Sequence, residues 1–247
     1  MSLPDDLIAA LTRAAQTPRL LVTSDFDGTL APIVNHPGDA RPLEPAAVAL
    51  RTLAAQPSTT AALISGRALA DLAVLSGLAG PVHLVGSHGA EFDTGFTHEI
   101  DTDLLQTIRE ELTSIASRHP GVTVESKPAS VALHIRNAEP GHGDVALSEA
   151  RTASQSWSAQ LTEGKAVLEF AVIVTDKGEA IDILRKRDDA SVVVFFGDDV
   201  TDEKAFRRMR DDDIGVKVGP GDTAATYRIS SPEEVAAALE FLAAARG

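Results

Sequence analysis

The sequence predicts an α/β protein: a parallel sheet covered by helices on both faces, with a smaller α+β domain inserted into it. Three observations carry this. Apolar runs of strand length recur at 20–23, 60–64, 82–85, 192–196 and 214–218, each bounded by turn residues. Helical patterns lie between or after them at 45–55, 68–75, 178–187, 202–210 and 232–245. Strands that are apolar throughout, rather than alternating, are buried on both faces, as parallel strands are.

The stretch 101–170 reads differently. It holds an amphipathic helix at 104–118, alternating strands at 131–136 and 166–171, a second helix from about 144 to 160, and a glycine-bearing loop at 141–143. The expected organisation is therefore a core built from residues 1–100 and 171–247 with an inserted cap at 101–170.

With 247 residues and 44% hydrophobic content the chain can bury a substantial core. It has no cysteine, which excludes disulfides, zinc–thiolate sites and thiol catalysis, and fits a reducing compartment. The longest apolar runs fall well short of the roughly 20 residues needed to cross a bilayer. The first residues carry two acids and no basic region, unlike a signal peptide. The expectation is a soluble, cytoplasmic monomer without membrane contact. A formal charge of −14 argues against nucleic acid as a partner. An anionic substrate would need local cations, and the acids clustered at Asp25/Asp27 and Asp198/Asp199/Asp202 point to a divalent metal.

Four segments carry chemistry, each beside an apolar run or opening a helix, so a parallel sheet brings them to one edge. In Ser24-Asp25-Phe26-Asp27-Gly28-Thr29-Leu30, Asp25 stands at a strand tip where a carboxylate can attack phosphorus. Asp27, two residues on, can protonate a leaving alkoxide and later deprotonate water. Gly28 lets the backbone curl so that amides face phosphoryl oxygens. The same motif also reads as an Asx-rich turn. In Ile64-Ser65-Gly66-Arg67 the Ser65 hydroxyl and free amides at a helix start suit an anion, or simply an N-cap. Lys177, in Asp176-Lys177-Gly178, opens a helix against the macrodipole preference and so calls for an anionic partner, although an exposed lysine is the plainer reading. In Gly197-Asp198-Asp199-Val200-Thr201-Asp202-Glu203, Asp198 at the strand tip is the better metal ligand; Asp202-Glu203 also fits an acidic first turn.

The order Asp-x-Asp, Ser, Lys, Asp-Asp resembles the haloacid dehalogenase superfamily of phosphatases. More closely, the sequence is similar to the trehalose-6-phosphate phosphatases, through Asp25 to Ile33, Ile64 to Arg67, Gly86-Ser87-His88-Gly89-Ala90-Glu91, Glu125-Ser126-Lys127, His134-Ile135-Arg136, Gly164 to Glu169 and Gly197 to Phe206. The resemblance implies a Rossmann-like core with an inserted α+β cap of the C2 type. It implies Asp25 as nucleophile, Asp27 as acid/base, and Ser65, Gly66, Arg67 and Lys177 around the phosphoryl group. It also implies Mg²⁺ on Asp25, the Asp27 carbonyl and Asp198, with Asp199 and Asp202 positioning its waters. Glu125, Lys127, Arg136, Lys165 and Glu169 would meet sugar hydroxyls. Lys165 and Glu169, four apart, would share a face if both lay on one strand. His88 and His134 read as structural histidines. The one departure is Phe26 where many relatives carry Tyr, and its side chain should point away from the chemistry.

The activity implied is hydrolysis of trehalose 6-phosphate through an aspartyl-phosphate. A phosphatase for sucrose phosphate or mannosyl-3-phosphoglycerate, or a phosphomutase, would keep the same core residues. A signalling receiver module would place its acidic pair before the acceptor and lack an acid at acceptor plus two, and this sequence disagrees on both.

Overall fold

The computed structural model describes residues 3–78, 80–173 and 175–247. In chain order the elements are α1 (Asp5–Ala15), β1 (Leu20–Ser24), α2 (Glu44–Ala55), β2 (Thr59–Ile64), α3 (Leu69–Ser76), β3 (His83–Val85), β4 (Glu91–Phe92), β5 (Gly95–Phe96), α4 (Thr102–Ser117), β6 (Thr123–Ser126), β7 (Ser130–His134) and α5 (His142–Ala153). They continue with β8 (Gln160–Gly164), β9 (Val167–Ala171), α6 (Lys177–Asp188), β10 (Val192–Gly197), α7 (Val200–Phe206), β11 (Ile214–Val218), β12 (Tyr227–Ile229) and α8 (Pro232–Arg246). The chain divides into two compact units, Met1–Gly95 with Thr175–Gly247, and Phe96–Val174.

The first unit is a six-stranded sheet in the order β12-β11-β10-β1-β2-β3, with every neighbouring pair parallel. Side chains alternate across it as strand geometry requires. Leu20, Val22, Leu63, Val194 and Phe196 join one core with α1, α2 and α8, while Leu21, Ile64, Val193 and Phe195 join the opposite core with α6 and α7. Burial on both faces is why these strands read as unbroken apolar runs. The reversal of strand order beside β1 puts the ends of β1 and β10 next to each other, the place where open parallel sheets bind ligands.

The second unit is an antiparallel sheet in the order β6-β7-β9-β8, with α4 and α5 packed on one face. Leu105, Ile108, Leu112 and Ile115 of α4 recur at helical spacing and meet Val131, Leu133, Leu168 and Phe170. Trp157 closes the edge of this core against the Phe170 ring, centroids 5.0 Å apart.

Several elements differ from the sequence expectation. The helix expected to reach 160 stops at Ala153; Gln160 instead begins β8, which pairs antiparallel with β9 from Gln160↔Ala171 to Gly164↔Val167. The helix expected over 202–210 runs Val200–Phe206, with its first turn fixed by the Asp199 cap and its exit turned by Asp213, which accepts the Arg210 amide at 2.8 Å. The strand expected over 131–136 ends at His134, which leaves Arg136 in the following turn.

Candidate active site

Parallel pairing fixes the site before any side chain is considered. β1, β2 and β10 lie side by side and parallel, so Asp25, Ser65 and Asp198, each the first residue beyond its strand, emerge at one edge. The Asp25 amide continues the ladder, donating to the Phe196 carbonyl at 2.9 Å. The turn that follows is closed by Gly28 N–H to Ala31 O at 2.8 Å and Ala31 N–H to Phe26 O at 2.8 Å. Gly28 sits at φ +83°, and a Cβ there would lie 2.2 Å from Oδ2 of Asp198, so the Asp198 carboxylate occupies space that only glycine leaves open. Phe26 turns away into the core, fully buried.

Asp25, Asp198 and Asp202 each bring a carboxylate oxygen within 4.8 Å of the others. Lys177, the first residue of α6, reaches into this group: its Nζ lies 2.8 Å from Oδ1 of Asp25 and 2.7 Å from Oδ1 of Asp202. The anionic partner that its place at a helix start called for is thus found within the chain. Asp202 uses its other oxygen on the loop, where Oδ2 accepts the amides of Asp198 at 3.0 Å and Asp199 at 2.9 Å. Thr29 donates to Oδ1 of Asp198 at 3.2 Å. Lys217, buried in β11, donates to the Asp198 carbonyl.

Burial raises the Asp25 carboxyl well above the ordinary carboxylate range; Lys177 opposes this, and the charges of Asp202 and Asp198 add to it. Burial, reinforced by Asp202, pushes Asp198 up to about 6. For Lys177 burial alone would lower the ammonium, but Asp202 and Asp25 outweigh it and hold the group above its ordinary value. Three carboxylates face one ammonium, and this surplus of hard oxygen donors in a buried cluster can hold a metal ion.

The carboxylates of Asp27 and Asp199 stand outside that cluster. Arg67 holds Asp27 in a fork, Nε to Oδ2 at 2.7 Å and Nη2 to Oδ1 at 2.6 Å, with its guanidinium 5.5 Å from the centre of the Phe26 ring. Asp199 is the N-cap of α7 and forms a capping box with Asp202. Ser65 is almost fully buried; its Oγ accepts the Arg67 amide at 3.2 Å rather than capping α3, whose N-cap is Ala68. The His88 ring packs on Gly66, where a Cβ would come within 2.4 Å of it, and both Ser87 (φ 49°) and His88 (φ 56°) are left-handed.

In the second unit, Glu125 and Glu169 flank Ala132 on adjacent strands, on the face opposite the helices. Lys127 Nζ lies 3.0 Å from both oxygens of Glu169, Ser130 Oγ donates to Glu169 Oε1 at 2.6 Å, and His134 Nε2 lies 2.8 Å from Glu125 Oε2. Lys165 is exposed at the β8–β9 turn beside Ala166, whose φ is 64°. It is therefore not on a strand with Glu169, and the shared-face expectation for that pair does not hold. Arg136, exposed beyond β7, lies at the same end of the sheet, where the Ile135 amide donates to the Ala166 carbonyl at 3.0 Å.

Sequence reading overlooked Thr29 and Lys217. A lysine inside the otherwise apolar run 214–218 was the available signal for the second, since a buried charge demands a partner.

The trehalose-phosphatase family profile matches residues 23–233. The chain belongs to that family. Among its trehalose-phosphatase relatives, the trehalose-phosphate phosphatase of Mycobacterium ulcerans is 35% identical over 256 residues, covering 96% of this chain and 65% of the relative. The trehalose-6-phosphate phosphatase of Escherichia coli is 35% identical over 231 residues, covering 90% of this chain and 85% of the relative. This chain thus spans about two thirds of the mycobacterial relative's length. Its fold is that of the C. albicans trehalose-6-phosphate phosphatase C-terminal domain, with a TM-score of 0.80 at 23% identity and 98% of each chain covered. Aspergillus fumigatus trehalose-6-phosphate phosphatase superposes with a TM-score of 0.69 at 26% identity, covering 96% of this chain and 97% of that one. Among the described residues no helix is long and apolar enough to cross a membrane.

Proposed function

We propose that this trehalose-phosphatase family member is a Mg²⁺-dependent phosphatase that hydrolyses trehalose 6-phosphate to trehalose and inorganic phosphate through a phosphorylated Asp25. The observation that carries this is the buried cluster of Asp25, Lys177, Asp198 and Asp202 at the tips of β1 and β10. A carboxylate held beside an ammonium at a strand tip is a nucleophile with its electrophile's charge partner already in place.

In the first step an Asp25 oxygen forms a bond to phosphorus, the bond from phosphorus to the sugar oxygen breaks, and Asp27 gives that oxygen its proton. In the second step Asp27 takes a proton from water, the water oxygen bonds to phosphorus, and the Asp25–phosphorus bond breaks to free phosphate and restore the carboxylate. A carboxylate gripped by Arg67 only accepts hydrogen bonds, so Asp27 can donate a proton once the guanidinium turns to the phosphoryl oxygens. Arg67 therefore exchanges one anion for another as substrate arrives. Lys177, Ser65 and the Gly66 amide are assigned to the remaining phosphoryl charge. Mg²⁺, on Asp25, Asp198 and the Asp27 carbonyl, would screen the repulsion between Asp25 and the phosphate. Asp202 and Asp199 serve that site from behind: Asp202 by fixing the Asp198 amide and Lys177, Asp199 by capping α7.

We assign the sugar to the second unit, where Glu125, Lys127 and Glu169 share a sheet face and Arg136 and Lys165 stand at its end. Mixed donors and acceptors around the small Ala132 suit a neutral ligand rich in hydroxyls. Phosphate release from trehalose 6-phosphate, sucrose 6-phosphate, mannosyl-3-phosphoglycerate and glucose 6-phosphate, compared at equal concentration, tests the substrate. The highest kcat/KM should fall on trehalose 6-phosphate; a clear preference for another member would overturn the assignment.

A further inference from the structure

Asp198 is gripped at three points. Thr29 holds its carboxylate, Asp202 takes its amide, and Lys217 takes its carbonyl. The last contact is the unusual one. Lys217 is the fourth residue of β11, a strand buried along its whole length, and is itself only 4% exposed. An apolar residue would fill that position without the cost of desolvating an ammonium. The strand register explains where the charge goes. Lys217 pairs with Gly197, the last residue of β10, so its side chain starts level with the strand end and reaches the next peptide. That peptide oxygen lies past the β10 ladder and before Asp199, the cap of α7, so neither element supplies it with a donor.

We propose that Lys217 is a positioning residue for the metal: it fixes the peptide of Asp198 and thereby holds the Asp198 carboxylate where a divalent cation needs it. The inference rests on the metal reading above and deepens it. Lys217 touches neither substrate nor the reacting atoms; it acts through Asp198. Groups that orient a metal ligand from behind are commonly worth 10–100-fold in metal affinity.

The test is Mg²⁺ binding to metal-stripped protein by isothermal titration calorimetry, comparing wild type with Lys217→Met, which keeps the stem and removes the charge. Lys217→Met should fold with a Tm at or somewhat below that of wild type, since the Asp198 carbonyl loses its donor, bind Mg²⁺ about 10–100-fold more weakly, and regain most phosphatase turnover at saturating Mg²⁺. Wild-type Mg²⁺ affinity in a folded Lys217→Met protein would overturn the proposal while leaving the metal site intact. A wild-type protein that takes up no Mg²⁺ would overturn the metal reading, and this one with it. If Lys217→Met does not fold, Lys217→Gln carries the same measurement. Loss of fold in both would mean that the lysine serves the core, and the proposal would fall.

Discussion

Lys177 bridges Asp25 and Asp202, its Nζ 2.8 Å from the first carboxylate and 2.7 Å from the second. None of the three side chains is more than 7% exposed. One buried cation thus links the tip of β1 to the first turn of α7, and the same contact opposes the burial that raises the Asp25 carboxyl. Lys177→Met leaves two carboxylates buried without their partner. It should cost about 3–5 kcal/mol of stability, read as a lower midpoint in urea unfolding, and abolish turnover. A variant as stable as wild type would show that the carboxylates do not depend on this lysine.

Gly28 tests how tightly the turn is fitted to Asp198. Alanine there combines a left-handed backbone with a Cβ placed against the carboxylate. Gly28→Ala should lose about 1–3 kcal/mol of stability. Turnover should fall by roughly 100-fold, the scale expected when a reacting group is displaced by about 1 Å. Parallel thermal melts and kinetics check this, and wild-type turnover would mean that Asp198 has room to move.

Removal of divalent ions addresses the acid cluster as a whole. Dialysis against EDTA should abolish phosphate release, Mg²⁺ should restore it, and Ca²⁺ should not, since its larger and looser shell disfavours in-line geometry. Full activity in metal-free buffer would contradict the role given to Asp198.

A Glu169 variant tests whether the proposed sugar site is separate from the phosphoryl chemistry. It is held by Lys127 and Ser130 within the second unit, and Asp25 lies in the first. Glu169→Ala should lower kcat/KM for trehalose 6-phosphate by roughly 10- to 1,000-fold, the worth of about 1.5–4 kcal/mol of polar contacts. Hydrolysis of p-nitrophenyl phosphate should change little. Equal losses on both substrates would assign Glu169 to the fold.

What the sequence made legible follows from burial. β1, β2, β10 and β11 are central strands packed on both sides, so their apolar runs stand out and their tips locate Asp25, Ser65 and Asp198. β6 and β8 are edge strands of the second sheet and β12 is an edge strand of three residues; half exposed or short, they carry no such signal. That is why the second helix of this stretch is expected as far as 160, where β8 begins, and why the β8–β9 turn that carries Lys165 gives no signal of its own. α1 went unnoticed although Leu7, Leu11 and Ala14 are spaced for a buried helical face. The partners of the site residues were the least legible part. Arg67 on Asp27, Asp202 on the Asp198 amide and Lys217 on the Asp198 carbonyl join segments far apart or bend back within a turn, and no spacing rule anticipates them.

Asp25 is proposed to receive the phosphoryl group. That transfer is tested most directly by quenching the enzyme in acid during turnover of trehalose 6-phosphate, reducing any acyl phosphate with borohydride, and mapping the modified residue by peptide mass spectrometry. Residue 25 should be converted to homoserine in the wild-type protein, and no such conversion should occur in a folded, inactive Asp25→Asn variant. Phosphate release by Asp25→Asn at a rate near wild type, or a trapped acyl phosphate at another residue, would contradict it.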